Sequence, residues 1–332
     1  MQTRMRRLAV LVTILAGTAV PTSAGAPMPN VNVDFGASCT WYGHAPVILA
    51  IEKGWFREAG LHVTFRTIVS SADRMLALTQ GAIGWTNTGQ LSVVAEMAKG
   101  NRTFYWVGMI DDAVGREGIA ARPEIRTVAD LRGKKVGVPL NSSAEVTLFF
   151  LLQDAGLTMR DVEIVPLTVT DIPTAFARGH IDAYSIWEPT LSSAVRGLTG
   201  ARVLATNADT SLYKRHGAIA AGDLLVMRRE IVAGYPRVGT AIFQVVSRAI
   251  AHIRANPADA AATIAGCFRT DPATAQENIR LFTYYEGTQQ KAKAANVLQV
   301  LTLLVDWAAS TGRIAERPNP QEWMNTRLWP TQ

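Results

Sequence analysis

Twice along this 332-residue chain a short helix-like segment ends on a glycine and runs straight into an apolar, strand-like one. Leu78-Thr79-Gln80-Gly81-Ala82-Ile83 and Phe176-Ala177-Arg178-Gly179-His180-Ile181 share this layout. A glycine just past a helix accepts the left-handed backbone that closes it, so each phrase marks a helix stop followed by a strand start. Around the first phrase, strand patterns at 31–35, 61–68, 83–86 and 104–109 alternate with helical ones at 46–53, 72–80 and 91–99. Around the second, strands at 135–138, 162–167 and 181–186 alternate with helices at 143–155 and 173–178. Such alternation predicts an α/β sheet with helices on its faces, and its repetition predicts two like lobes. Beyond residue 223 the pattern turns helical at 236–254, 257–267, 272–282 and 290–311. In the last of these, Ala294, Val297, Leu298, Leu301, Leu304, Val305 and Ala308 form one apolar face. No flexible linker precedes these helices, so they are expected to pack on the first lobe rather than stand as a separate domain.

The amino terminus reads as a cleaved secretion signal over residues 1–24. Arg4, Arg6 and Arg7 precede an apolar run at 8–20, and Pro21-Thr22-Ser23-Ala24 leads into small residues. The run is too short for a spanning helix, which needs about 20 apolar residues. The expected compartment is the periplasm. The net charge of +6 includes those three arginines, and the segment has no acid, so the mature chain keeps +3. That excess is thinly spread, which argues against a nucleic-acid partner. Cys39 and Cys267 are the only cysteines; an oxidising space permits a disulfide, but sequence does not show that they meet. Five scattered histidines and two cysteines give no metal-ligand spacing, and no phosphate-cradling loop appears, so neither metal nor cofactor is expected. No nucleophile–base constellation stands out, which argues against an enzyme.

Several phrases resemble the periplasmic substrate-binding proteins of ABC importers, in the nitrate/sulfonate/taurine branch. They are Pro46-x3-Ala50-x2-Lys53-Gly54-x-Phe56-x3-Gly60-Leu61-x-Val63, then Thr127-x2-Asp130-Leu131-x-Gly133-Lys134-Lys135-Val136-Gly137-Val138-Pro139. Ser142-Ser143, Gly179-x-Ile181-Asp182-Ala183 and Trp187-x-Pro189 follow in order. The taurine-binding type is matched most closely, through Gly137-Val138-Pro139, Trp187, Asp223 and the Trp307-Ala308-x3-Gly312-x-Ile314 tail. The loop at 38–44 is longer and more aromatic than that type, and Glu188 is a charge where it is usually neutral.

The resemblance implies a type II periplasmic-binding-protein fold: two α/β lobes joined by crossover strands at a hinge, with extra C-terminal helices on lobe 1. Lobe 1 would be 25–118 with 224–332, and lobe 2 would be 119–223. The crossovers are expected near 118–121 and 224–228. The implied molecule is a monomer that closes over one small solute and delivers it to a membrane permease with its ATPase.

In open α/β sheets ligands sit beyond the carboxyl ends of strands, where helices begin. That rule selects the loops at 38–44, 87–90, 140–143 and 187–188 and the approach to Asp223. Ser142 and Ser143 open a helix, where free N–H groups favour an anion; Ser142 with Glu145 also fits a capping box. Asn87, Thr88 and Gly89 repeat that arrangement on the other lobe, and neutral donors of this kind can hold a sulfonate without a counter-cation. Asp223, in the taurine-type position, is the expected partner of a ligand amine, with Glu188 as a second carboxylate and Trp187 as a cation–π face. Trp41 and Tyr42 are expected to wall the pocket, His44 to be structural, and Trp55, Trp85 and Trp106 to fill core or lobe surface. The expected ligand is taurine or another aminosulfonate. An alkanesulfonate, nitrate or a pyrimidine thiamine precursor stay open, as does an enzyme or sensor on the same clamp.

Overall fold

The computed structural model describes residues 31–217 and 222–329. The segment read as a secretion signal lies outside the described residues. In the first round the chain forms β1 (Phe35–Ala37), α1 (Ala45–Glu52), α2 (Trp55–Glu58), β2 (Phe65–Thr67) and α3 (Ser71–Thr79). Then come β3 (Trp85–Gly89), α4 (Gln90–Ala98), β4 (Phe104–Gly108) and the two-residue β5 (Asp111–Asp112). The second round holds β6 (Glu117–Ala121), β7 (Lys135–Val138), α5 (Ser143–Asp154), β8 (Glu163–Pro166) and α6 (Ile172–Ala177). It ends with β9 (Ala183–Trp187), α7 (Thr190–Arg196), β10 (Arg202–Thr206) and α8 (Ser211–His216). The return consists of β11 (Asp223–Arg228), α9 (Pro236–Ala255), α10 (Pro257–Ile264), α11 (Pro272–Arg280), β12 (Thr283–Tyr284) and α12 (Gln290–Ser310).

Two five-stranded sheets result, ordered β2-β1-β3-β11-β4 and β10-β6-β9-β7-β8. In the first, β1 runs parallel to β2 and β3, while β11 is antiparallel to β3 and β4. In the second, β7 is parallel to β8 and β9, while β6 is antiparallel to β9 and β10. The strands expected at the crossovers, β6 and β11, each lie inside one sheet. The chain changes sheet between β4 and β6 and returns between β10 and β11.

Strand β11 shows why helices cover both faces of the first sheet. Successive side chains of a strand point to opposite faces. Leu225 and Met227 enter the core shared with α1, α9 and α10, beside Leu49, Ile242 and Ile250. Leu224 and Val226 enter the core shared with α3, α4 and α12, beside Leu78, Val94 and Leu301. The C-terminal helices therefore do pack on the first sheet, as their apolar faces predict. Trp85 and Trp106 are fully buried between sheet and helices, and Trp55 nearly so. Cys39 and Cys267 form a disulfide with a Cα–Cα distance of 5.6 Å, which ties the loop after β1 to the segment after α10.

The largest departures from the sequence reading are in three strands. Strand β1 starts at Phe35 rather than 31, because Asn32 bonds the carbonyl of Gly81 and the amide of Asp34 and so holds the lead-in out of the ladder. Only residues 65–67 of the predicted strand at 61–68 pair with β1. Strand β3 runs on to Gly89, because the antiparallel β11 pairs with it as far as Gly89↔Asp223. Elements α7, β10 and α8 lack a clear period, so the sequence pattern does not predict them.

Candidate functional site

The carboxyl ends of β1 and β3, the amino termini of α3 and α5, the end of β9 and the start of β11 meet between the two sheets. They enclose a narrow cavity with free space for roughly one water molecule. From the first sheet come Ser38, Thr40 and Trp41, then Val69, Ser71 and Arg74, then Asp223. From the second come Ser143 and Trp187. Trp41 and Trp187 meet edge to face at 6.2 Å between centroids, and Trp41 also packs on Phe282 at 4.7 Å. Trp41 and Trp187 form the aromatic wall.

Arg74 is the cation of the cavity, and the sequence reading missed it. It sits in the first turns of α3, only 4% exposed. Its Nη1 donates to the carbonyls of Ile68 and Val69 at 3.1 and 3.0 Å. Its Nη2 donates to Ser71 Oγ at 2.9 Å and its Nε to Thr88 Oγ1 at 3.3 Å. A guanidinium has five N–H donors, so these bonds fix its plane and leave one N–H over. Every one of those partners is neutral. Burial pulls its pKa down from the ordinary value, and the charge of Asp223 opposes that pull.

Asp223 is 5% exposed, and its Oδ2 has no hydrogen-bond partner among the described residues. His44, wholly buried, lies beneath it with Nε2 at 3.6 Å. That ring is held by the backbone: Nδ1 lies 2.8 Å from the Ser38 carbonyl and Nε2 3.1 Å from the Asn87 carbonyl. Asp111 is buried behind this layer, where Asn87 Nδ2 donates to it at 2.8 Å. Burial, then the charge of Asp223, pushes the Asp111 carboxyl well above the usual carboxylate range. Gly43 makes this crowding feasible, because a Cβ there would stand 2.2 Å from Trp41 Nε1 and 2.5 Å from Asp111 Oδ2.

The structure thus brings Trp41, Ser143, Trp187 and Asp223 of the expected residues into one cavity. Thr88 and Gly89 stand directly behind it, Thr88 as a partner of Arg74 and Gly89 against Ser71. Asn87 is fully buried and spends its amide on Asp111. Tyr42 turns away to stack on Phe268 at 3.8 Å. Ser142 donates to the Pro139 carbonyl at 2.6 Å and caps nothing with its side chain. The expected capping box is absent: Glu145 accepts from the amide of Asn141, one residue early, and pairs with Arg313 at 2.5 Å. Glu188 accepts from the amide and hydroxyl of Ser192 and lines a separate crevice with Arg116 and Arg196.

One signal would have exposed Arg74. Ser70-Ser71-Ala72-Asp73 and Ser142-Ser143-Ala144-Glu145 share the pattern Ser-Ser-Ala-acid, each opening a helix, α3 or α5. The second serine of each pair lines the cavity. Arg74 follows the first phrase directly.

A family model described as NMT1/THI5 like matches residues 41–260. A candidate binding protein of Brucella abortus is 28% identical over 324 residues, covering 96% of this chain and 97% of that one. The taurine-binding periplasmic protein of Escherichia coli is 27% identical over 184 residues, 55% of this chain and 54% of that one. Among solved structures, the alkanesulfonate-binding protein SsuA from Xanthomonas axonopodis pv. citri, bound to MOPS, superposes with a TM-score of 0.76 at 21% identity. It covers 90% of this chain and 99% of its own.

Proposed function

The chain belongs to the NMT1/THI5-like family, and from that membership we propose that it is the solute-binding component of an ABC importer for sulfonates of the taurine type. It acts in the periplasm as a monomer, captures its ligand between the two sheets and hands it to a membrane permease driven by an ATPase. One observation carries the reading of the ligand. Arg74 and Asp223, opposite in charge and almost wholly buried, line the same cavity, and no ion pair joins them among the described residues.

A buried charge whose neighbours are neutral or beyond hydrogen-bond reach is costly unless a ligand supplies a partner. A small zwitterion supplies both. Its sulfonate takes the spare N–H of Arg74 and the hydroxyls of Ser71 and Ser143, at the amino termini of α3 and α5, where the helix dipoles favour an anion. Its ammonium takes Asp223 Oδ2, with Trp187 alongside. This reading adds a cation to the neutral donors expected to be able to hold a sulfonate without one. The role needs binding and release and no covalent chemistry. Because the free space is about one water, a ligand enters only when the sheets part, which agrees with a hinged clamp.

Calorimetric titration of the purified protein with taurine, ethanesulfonate and nitrate tests this. Taurine is expected to bind most tightly and nitrate least. The aromatic wall of Trp41 and Trp187 favours a second reading, an alkanesulfonate without an amine. Equal affinity for ethanesulfonate and taurine would select it and remove the amine contact, and no binding of any sulfonate would end both readings.

A further inference from the structure

We infer that Glu117 is a proton-linked positioning residue: its carboxyl group decides whether the Ser143 hydroxyl turns its hydrogen inward to β6 or outward to a bound anion. The inference deepens the sulfonate reading and rests on it. Glu117 is fully buried on β6, opposite Trp187 of β9. Its Oε1 lies 2.7 Å from Ser143 Oγ and its Oε2 lies 3.0 Å from Thr147 Oγ1. Ser143 and Thr147 stand one turn apart on the same face of α5, so one carboxyl group spans both hydroxyls. Ser143 is also a wall of the cavity.

A hydroxyl has one hydrogen to give. When Glu117 is ionised it can only accept, so both hydroxyl hydrogens turn toward it and Ser143 presents lone pairs to the cavity, which repel a sulfonate oxygen. When Glu117 carries a proton it donates to Ser143 Oγ and accepts from Thr147. The Ser143 hydrogen is then free to donate to the ligand.

Asp223 on β11 is the charged group whose field reaches this carboxyl. Glu145 on α5 is tied to Arg313, Glu188 beyond β9 is bonded to Ser192, and Arg116 before β6 donates to the Leu281 carbonyl. Burial raises Glu117 to about 8, against the opposing hydrogen bonds of Ser143 and Thr147, and the charge of Asp223 adds to the rise. A sulfonate oxygen that accepts from Ser143 favours the protonated carboxyl, so binding near pH 8 draws a proton from solvent onto Glu117.

The test is taurine titration of the wild type and of Glu117→Gln at pH 7 and pH 9. The carboxamide reproduces the protonated arrangement, with its N–H₂ toward Ser143 and its oxygen toward Thr147. The ratio of wild-type to variant association constants should fall about tenfold between these pH values, and the ligand's own amine titration cancels in that ratio. Independently of the variant, wild-type calorimetry at pH 8 in two buffers of different ionisation enthalpy should count about half a proton taken up per taurine. A flat ratio, or no proton uptake while taurine binds, overturns the inference and leaves the sulfonate reading standing. Absence of binding of both taurine and ethanesulfonate at pH 7 removes that reading and this inference with it.

Discussion

Asp223 Oδ2 stands 3.6 Å from His44 Nε2, too far for a hydrogen bond, and that nitrogen lies closer, at 3.1 Å, to the backbone carbonyl of Asn87. The carboxylate therefore keeps an unused acceptor at the cavity wall. Asp223→Asn should weaken taurine binding by about 1.5–3 kcal/mol, the scale of a hydrogen bond to a charged group. Ethanesulfonate, which lacks the amine, should be affected far less. Calorimetry with both ligands is the check, and unchanged taurine affinity would remove Asp223 from the contact.

Arg74 is expected to act on both ligands alike, because each carries the sulfonate. Arg74→Gln should cost about 1.5–3 kcal/mol with taurine and with ethanesulfonate. Arg74→Lys should rescue poorly, since an ammonium cannot reproduce the fork that reaches Ile68, Val69, Ser71 and Thr88 together. A lysine variant with wild-type affinity would contradict this.

Glu117 also makes stability depend on pH. Its carboxyl rises from 4.5 in the unfolded chain to about 8 in the folded one, so the unfolded state ionises first. Below pH 4.5 both states hold the proton and no penalty applies. Between pH 4.5 and 8 the native state loses stability, by an amount on the order of several kcal/mol in total. Glu117→Gln should accordingly raise the melting temperature at pH 8, and the gain should fade as pH falls toward 4.5. An equal difference at both ends of that window would show that Glu117 does not titrate this way.

The disulfide joins Cys39 to Cys267 across a sequence separation of 228 and holds the segment that leads into Trp41. Reduction, or Cys39→Ser with Cys267→Ser, should lower stability by about 2–4 kcal/mol. Denaturant unfolding with and without reductant measures it. No shift in midpoint would mean the bond is not formed in the purified protein.

Arg313, just beyond α12, reaches across to Glu145 on α5, while Trp307 packs edge to face on Phe149 at 5.2 Å. Glu145 is 1% exposed on its side chain, so Arg313→Ala leaves a buried carboxylate without its partner. Parting the two bodies relieves that charge. Small-angle scattering of the variant should show a larger radius of gyration than wild type in the absence of ligand, and identical curves would mean this pair does not help hold the sheets together.

How much of the site could be read in the chain follows a physical line. Ser143, Trp187 and Trp41 sit where strand patterns hand over to helix patterns, so local periodicity and one topological rule point at them. Arg74 escaped because an arginine inside an amphipathic helix looks like a solvated residue; its burial follows from the carbonyls of Ile68 and Val69 folding back over it. Tyr42 and Glu188 sit beside cavity residues in sequence and still turn away, since a neighbour along a loop need not share its direction. Glu117 escaped for a related reason: nothing local marks a strand acid whose partners, Ser143 and Thr147, lie 26 and 30 residues further on.

The two α/β rounds, the helical tail and its apolar faces are legible in the chain, because periodicity and glycine stops are local signals that survive without knowledge of neighbours. Which strands pair, that Cys39 meets Cys267, that Arg74 and Asp223 line one cavity and that Glu117 is buried behind its Ser143 wall emerge only once the chain is folded. Pairing and burial depend on residues far apart in the chain, and the strength and protonation of a charge depend on how much water and which other charges the fold leaves beside it.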